Sequence, residues 1–354
     1  MSPAPITRTT VERLQLEAAR RGDERAFQQL VERYRRELLA HCYRMLGSIH
    51  DAEDALQEAL LRAWRSLARF EGRSSLRAWL YRIATNTCLD LIGRRPRRTT
   101  PLDHGPPSDA APGPGAPLSE SVWIEPFPDD PLAVPDGLAA PEARYEQRES
   151  VELAFVAAMQ HLPARQRAVL ILREVLGFSA KEVAASLETS VPSVNSALQR
   201  ARRTVEEKLP AQSQQETLRA LGDDELRGVV EGYVDAWERG DVEAVVAMLA
   251  DDAVLTMPPM PTWYRADQIV VFLREWAFNG RVYDALGRRR VKVVPTRANG
   301  QLAFGTYSWV EAEGAHLPTV LQVLTLRGDR IAEIAGFVSP AIFARFGLPT
   351  SLPA

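Results

Sequence analysis

No stretch of about eighteen apolar residues occurs in this 354-residue chain, so no transmembrane helix is expected. The first ten residues, Met1 to Thr10, lack the basic-then-apolar order of a secretory signal, which points to the cytoplasm. Cysteine is scarce. The two present, Cys42 and Cys88, are not in a CxxC arrangement and suit small buried hydrophobes better than metal ligands. No metal or cofactor is expected. A charge surplus is also missing: the net charge is −3, which taken whole argues against nucleic acid.

The distribution of charge argues the other way. Residues 1–100 carry 19 basic and 12 acidic side chains. Residues 101–147 carry one Arg against 9 acids, and residues 148–209 carry 9 basic against 7 acidic. A basic block and a mildly basic block are joined by an acidic tether, and phosphates respond to local charge.

A chain of this length suits two or three domains. Residues 11–95 have helical periodicity. Ala52, Ala55, Leu56, Ala59, Leu60, Ala63, Trp64 and Leu67 form one apolar stripe opposite Glu53, Asp54, Gln57, Glu58, Arg62 and Arg65. A second helix is expected from Leu76 to Ile92, stopping at Gly93 before four arginines. Residues 99–141 hold eleven of the 25 prolines and read as an extended linker. Trp123-Ile124-Glu125-Pro126-Phe127-Pro128 departs from that composition, either as a chance apolar cluster or as a docking segment. Residues 142–209 return to helix. Residues 216–350 begin helical and then alternate as strands, with turns at Asn299-Gly300 and Gly328-Asp329, the pattern of an α+β domain.

Local chemistry is clearest at 179–205. Ser179 and Glu182 make a capping box for a helix at Ala180–Leu187. Glu188-Thr189-Ser190 is a tight connection, and Ser190 can cap a second helix with Pro192 in its first turn. Val191, Val194, Leu198, Ala201 and Val205 form that helix's apolar stripe. Ser193, Asn195, Ser196, Gln199, Arg200 and Arg203 are left outward, and amides, hydroxyls and Arg are what a recognition helix shows to base edges. An ordinary helical hairpin with a solvated face would share the pattern.

Two motif sets carry a family resemblance. His161-Leu162-Pro163-Ala164-Arg165-Gln166-Arg167-Ala168-Val169-Leu170, with Ser179 to Ala184 and Val194 to Arg202, resembles region 4 of extracytoplasmic-function sigma factors. Asp51 to Glu58 and Phe70 to Asn86 resemble region 2. The resemblance implies two all-α sigma domains, a region 2 helical bundle over 10–98 and a region 4 helix-turn-helix over 142–210. It implies core RNA polymerase and promoter DNA, with −35 and −10 elements, as partners. Asp54, Gln57, Glu58 and Arg65 match the polymerase-binding face. Phe70, Arg73, Ser74 and Asn86 match the part reading the −10 element, and Arg94, Arg95, Arg97 and Arg98 the basic patch beside it. Ser193, Asn195, Ser196, Gln199, Arg200 and Arg203 would read the −35 element. Many members carry Lys and Arg where this chain has Asn195 and Ala197, so region 4 offers the duplex less charge.

Residues 216–350 resemble SnoaL-like domains, implying an α+β cone with a curved antiparallel sheet. Met257, Trp263, Tyr264, Trp276, Phe304, Trp309 and Phe337 are candidate pocket liners, although aromatic sets commonly form core. Asp251, Asp252, Tyr264, Tyr283, Asp284, Tyr307 and His316 supply acid–base types without a motif, so a regulatory role is expected rather than catalysis. A small-molecule ligand or an anti-sigma protein stays open as a further partner. Two rivals are a conventional helix-turn-helix repressor or activator, and an isomerase or cyclase with a DNA-binding appendage. The repressor or activator reading leaves residues 40–98 unexplained, and the separated region 2 and region 4 motifs favour the sigma reading over both.

Overall fold

The computed structural model describes residues 8–72, 74–118, 122–129, 151–279 and 291–354. Arg73, Tyr283 and Asp284 lie outside them. The described chain forms two compact bodies. One holds the residues up to Arg97 together with Ala158–Glu207, the other Arg98–Ala157 with Lys208–Ala354.

The first body is all helix. It runs α1 (Arg8–Arg20), α2 (Glu24–Leu46), α3 (Ile49–Ser66) and α4 (Leu76–Ile92). Their starts are written in the sequence. Asp23, Ser48 and Ser75 each accept a backbone N–H from three residues on, and Gly47 ends α2 in the left-handed conformation at φ 70°. The fully buried Leu30, Leu38, Cys42, Met45, Ala55, Ala63, Ala84 and Cys88 fill the bundle. After α5 (Leu153–Gln160), which crosses between the bodies in sequence, come α6 (Ala164–Leu170), α7 (Ala180–Ser186) and α8 (Val191–Glu206). The Ser179–Glu182 capping box forms, and Ser190 caps α8 through the Ser193 N–H.

Within this body the later helices pack on the first four. The buried Arg167 guanidinium donates to the Met45 carbonyl, to Gln160 Oε1 at 2.6 Å and to Leu162 O at 3.2 Å. Burial lowers its pKa to about 10, assisted by nearby Arg97, so it stays charged and its carbonyl partners replace lost water.

The second body contains α9 (Gln214–Arg239, broken at Gly222), α10 (Val242–Ala247), α11 (Asp267–Phe272) and six strands. The strands are β1 (Leu249–Thr256), β2 (Trp263–Arg265), β3 (Val291–Ala298), β4 (Gln301–Val310), β5 (Ala315–Arg327) and β6 (Arg330–Phe337). The sheet order is β2-β1-β6-β5-β4-β3. All pairs are antiparallel except β1–β6, which is parallel, so the sheet is mixed rather than antiparallel throughout. One face packs on the helices through Tyr233, Leu255, Tyr264, Phe272, Phe304 and Ile334. The other buries Tyr307, Leu321, Phe337, Phe343 and Leu348.

The proline-rich segment is not the extended tether its composition suggests. Its described part is folded into the second body. Trp123, Ile124 and Phe127 are buried there, and Ala110 joins the helix-side core. Gly113 lies flat on Trp276, where a Cβ would fall 2.6 Å from a ring atom. Ser108 N–H donates to Trp263 O, Leu118 N–H to Pro259 O, and Thr262 Oγ1 to Pro114 O. Prolines that fix φ lessen the entropy lost on docking, and each large buried side chain contributes roughly 1.5–3 kcal/mol.

Candidate nucleic-acid and polymerase interfaces

The recognition helix α8 sorts its residues as the spacing predicts, with one exception. Val194, Leu198, Ala201 and Val205 are buried, whereas Ser193, Asn195, Ser196, Gln199, Arg200 and Arg203 are exposed on one helix. Val191, assigned to the apolar stripe, is 39% exposed. It sits in the first turn, where no neighbouring helix covers it. Arg203 pairs with Glu207 at 3.5 Å, while Gln199 and Arg200 make no side-chain hydrogen bond among the described residues.

On α3 the expected polymerase-binding face is open: Asp54, Gln57 and Arg65 are exposed and Glu58 half-buried. Glu58 holds Arg62 at 2.8 Å, and Arg62 also reaches Asp90 at 2.8 Å. Leu61 lies on the same side, 43% exposed, and the sequence reading passed over it.

The residues expected at the −10 element are not presented together. Ser74 and Asn86 are exposed. Phe70 is buried, its ring 4.9 Å from that of Trp79, so it is not a free stacking platform. The four arginines after α4 also divide. Arg94 is exposed, and its side chain makes no hydrogen bond or ion pair among the described residues. Arg95 is ion-paired to the buried Asp51, and Arg97 lies 3.1 Å from His161 Nε2. Arg98 is buried. It donates to Trp123 O at 3.0 Å and faces Glu125 at 3.6 Å, and burial lowers its pKa against the pull of that carboxylate. Sequence alone could not separate these four, because their partners are up to sixty-four residues away.

The pocket candidates do not converge. Met257, Tyr264 and Phe304 belong to the helix-side core with Trp276 against it, but Phe337 lies in the core on the opposite sheet face. Trp309 packs on His316 at 5.1 Å, and Trp263 Nε1 donates to Gly105 O. The strand period of two splits them between the faces. The acid–base candidates are likewise dispersed. Asp252 is held below the usual carboxylate range by a hydrogen bond from exposed Arg327, Tyr307 donates to Pro349 O, and His316 Nδ1 faces Pro353 O.

The described chain combines a helix-turn-helix packed on a four-helix bundle with a mixed-sheet domain, the architecture of a multidomain helix-turn-helix protein. Comparison with known proteins fixes the kind. Residues 30–98 match the family model for Sigma-70 region 2, residues 152–205 that for Sigma-70, region 4, and residues 230–334 that for the SnoaL-like domain. The chain is 44% identical over 333 residues to the ECF RNA polymerase sigma factor SigG of Mycobacterium tuberculosis, covering 94% of this chain and 86% of that one. It is 34% identical over 194 residues to the RNA polymerase sigma-H factor of Pseudomonas aeruginosa, covering 55% and 91%. The crystal structure of the M. tuberculosis extracytoplasmic function sigma factor SigJ shares the fold, with a TM-score of 0.53 at 21% identity over 89% of this chain and 97% of that one. The chain belongs to the extracytoplasmic-function (ECF) RNA polymerase sigma factors, with a SnoaL-like domain at its C-terminal side.

Proposed function

We propose that this protein binds core RNA polymerase in the cytoplasm and directs promoter-specific initiation. Region 4 reads the −35 element through Ser193, Asn195, Ser196, Gln199, Arg200 and Arg203, and region 2 engages the −10 element and the polymerase. The observation that carries this reading is α8, where Ser193, Asn195, Ser196, Gln199, Arg200 and Arg203 are exposed while Val194, Leu198, Ala201 and Val205 are buried. A fork of Arg and a neighbouring amide on one turn is the geometry that discriminates base pairs in a major groove. On α3, Asp54, Gln57, Glu58 and Arg65, with Leu61 beside them, supply the polymerase contact.

The SnoaL-like domain is regulatory rather than catalytic in this reading. What supports it is the linker packed on it and the scatter of its acid–base residues over both sheet faces. Run-off transcription with core polymerase tests the proposal. Promoter-specific transcripts appear only with the protein present, and a form ending at Glu207 initiates at the same promoters with altered yield. Stable operator binding by the protein alone, with no transcript from any promoter, would favour a conventional repressor.

A further inference from the structure

The β3–β4 turn, read from its sequence as a plain Asn-Gly reversal, holds two distant points of the chain. Asn299 is wholly buried and adopts the left-handed conformation at φ 56°. Its Oδ1 accepts the Phe127 N–H at 2.8 Å, and its Nδ2 donates to Val151 O at 2.6 Å. One side-chain amide thus grips both sides of residues 128–150. Neighbours reinforce each side. Asn299 N–H donates to Phe127 O at 2.8 Å and Gly300 N–H to Asp129 Oδ1 at 2.7 Å. Leu153 N–H donates to Gln301 Oε1 at 3.0 Å, while the Glu152 carboxylate accepts the Gln214 and Gln215 N–H groups at 3.0 and 2.9 Å.

A second closure lies just upstream. Thr99 N–H donates to Val122 O at 2.8 Å and Ile124 N–H to Thr99 O at 3.1 Å, with Arg98 held on Trp123 O beside them. The route from residue 98 to residue 151 therefore runs across one backbone bridge, three residues and one side chain.

We propose that the Asn299–Gly300 turn is a clamp for the region 2–region 4 linker, which shortens the reach between the two DNA-reading domains until it is released. The proposal rests on the sigma-factor reading above and deepens the regulatory role given there to the SnoaL-like domain.

Distances decide the consequence. The short-circuited path spans at most about 25 Å at ~3.5 Å per extended residue. The same 53 residues when free span roughly 40 Å as a flexible coil and ~175 Å fully extended. Promoter elements at −35 and −10 are about 25 base pairs apart, roughly 85 Å along B-form DNA at ~3.4 Å per pair. A compact body of the size that holds regions 2 and 4 is only roughly 40 Å across. Engaging both elements therefore requires the linker ends to part, and the amide of Asn299 is a single side chain bonded to both of them.

Two substitutions in the full-length protein test this. Asn299→Gly keeps the left-handed backbone and removes both side-chain bonds. Asn299→Asp keeps the acceptor for Phe127 and loses the donor to Val151. Amide exchange of the free protein and run-off transcription with core polymerase are measured on each. With Asn299→Gly, the Phe127 and Leu153 amides exchange at least tenfold faster while β4 and β5 amides stay protected, and transcript yield rises at least threefold. With Asn299→Asp, only Leu153 accelerates and the yield is intermediate. Unchanged exchange at both amides overturns the clamp, as does unchanged or lower yield after release. If Asn299→Gly loses protection across the whole sheet, Asn299→Asp decides on the same two readouts. Absence of any transcript from the wild-type protein would strike the sigma reading instead, and the exchange result would still judge the clamp.

Discussion

The rings of Tyr81 and Phe178 meet edge to face with centroids 5.5 Å apart and planes at 67°. Arg77 lies over both, 4.9 Å from the Tyr81 centroid and 5.2 Å from that of Phe178, and its Nε donates to Glu37 at 3.1 Å. This cluster joins α4 of region 2 to the segment entering the helix-turn-helix. Phe178 is its replaceable member, since it is buried but lies between helices rather than within one. Phe178→Ala should cost about 3 kcal/mol at this contact through lost burial and ring packing. Denaturant unfolding followed separately in α4 and α8 should then show two transitions where the wild type shows one. A single transition for the variant would mean that the contact is not what couples the regions.

The arginines after α4 are expected to differ in their response to salt. Arg94→Ala removes an exposed cation, so the log–log salt dependence of promoter binding by the holoenzyme should become shallower by about 0.9. Arg98→Ala removes a side chain committed to Trp123 O and Glu125. Its slope should stay at the wild-type value. Equal changes for the two variants would mean that Arg98 leaves the linker when DNA binds.

Arg200 and Arg203 separate recognition from attraction on α8. Arg200 makes no ion pair among the described residues, whereas Arg203 is paired to Glu207. Arg200→Ala should weaken binding to the preferred −35 sequence by about 1–3 kcal/mol and relax discrimination at one base pair. Arg203→Ala should weaken all duplexes alike. A base-substitution series over the −35 element distinguishes the two patterns.

How much of this was legible follows from the range of each interaction. The helices of regions 2 and 4 were readable because caps and stripes are local: Ser48, Ser75, Ser179 and Ser190 each act on an N–H three residues away. Val191 fits the α8 stripe by spacing, but its exposure depends on what packs over the first turn. The proline-rich segment was misjudged for the same reason. Its composition speaks for disorder, yet Phe127 is fixed by Asn299, 172 positions on. The pocket set divides because Phe304 is in register with Gln322 and Gly336, one residue from Phe337, so period-two alternation puts Phe304 and Phe337 on opposite faces. The parallel β1–β6 pair has no local signature at all.

His41 makes region 2 acid-sensitive. Its Nε2 lies 2.9 Å from Thr85 Oγ1, whose own proton goes to Tyr81 O at 2.7 Å. The imidazole must therefore donate from Nε2, leaving the buried Nδ1 bare. Burial, with Arg44 and Arg77 nearby, lowers its pKa to about 3. The unfolded chain takes up a proton below its ordinary value of 6.5, which the folded state refuses. Stability is thus full above pH ~6.5 and falls as pH drops toward 3, by up to about 1.4 kcal/mol per unit. Between pH 7 and pH 5 the wild type should lose roughly 1–2 kcal/mol more than His41→Gln in matched denaturation curves. Parallel losses would mean that the imidazole is protonated in the fold.

Glu333 works in the opposite direction. It lies on β6 between Val254 of β1 and Thr325 of β5, with no hydrogen-bond partner among the described residues. Burial pushes its carboxyl up to about 7 from an ordinary 4.5. Below pH ~4.5 both folded and unfolded forms are protonated, and nothing is lost. As pH rises toward 7, the unfolded chain releases a proton that the folded chain keeps, so stability falls and then levels off. The side chain keeps a partly open side, so the loss should be about 1–2 kcal/mol rather than the full value of the shift. Glu333→Gln has no proton to release. Its stability relative to wild type should increase by that amount between pH 5 and pH 8, measured by urea denaturation. A constant difference across the range would show that water reaches the carboxylate, and that β6 tolerates the charge at no cost.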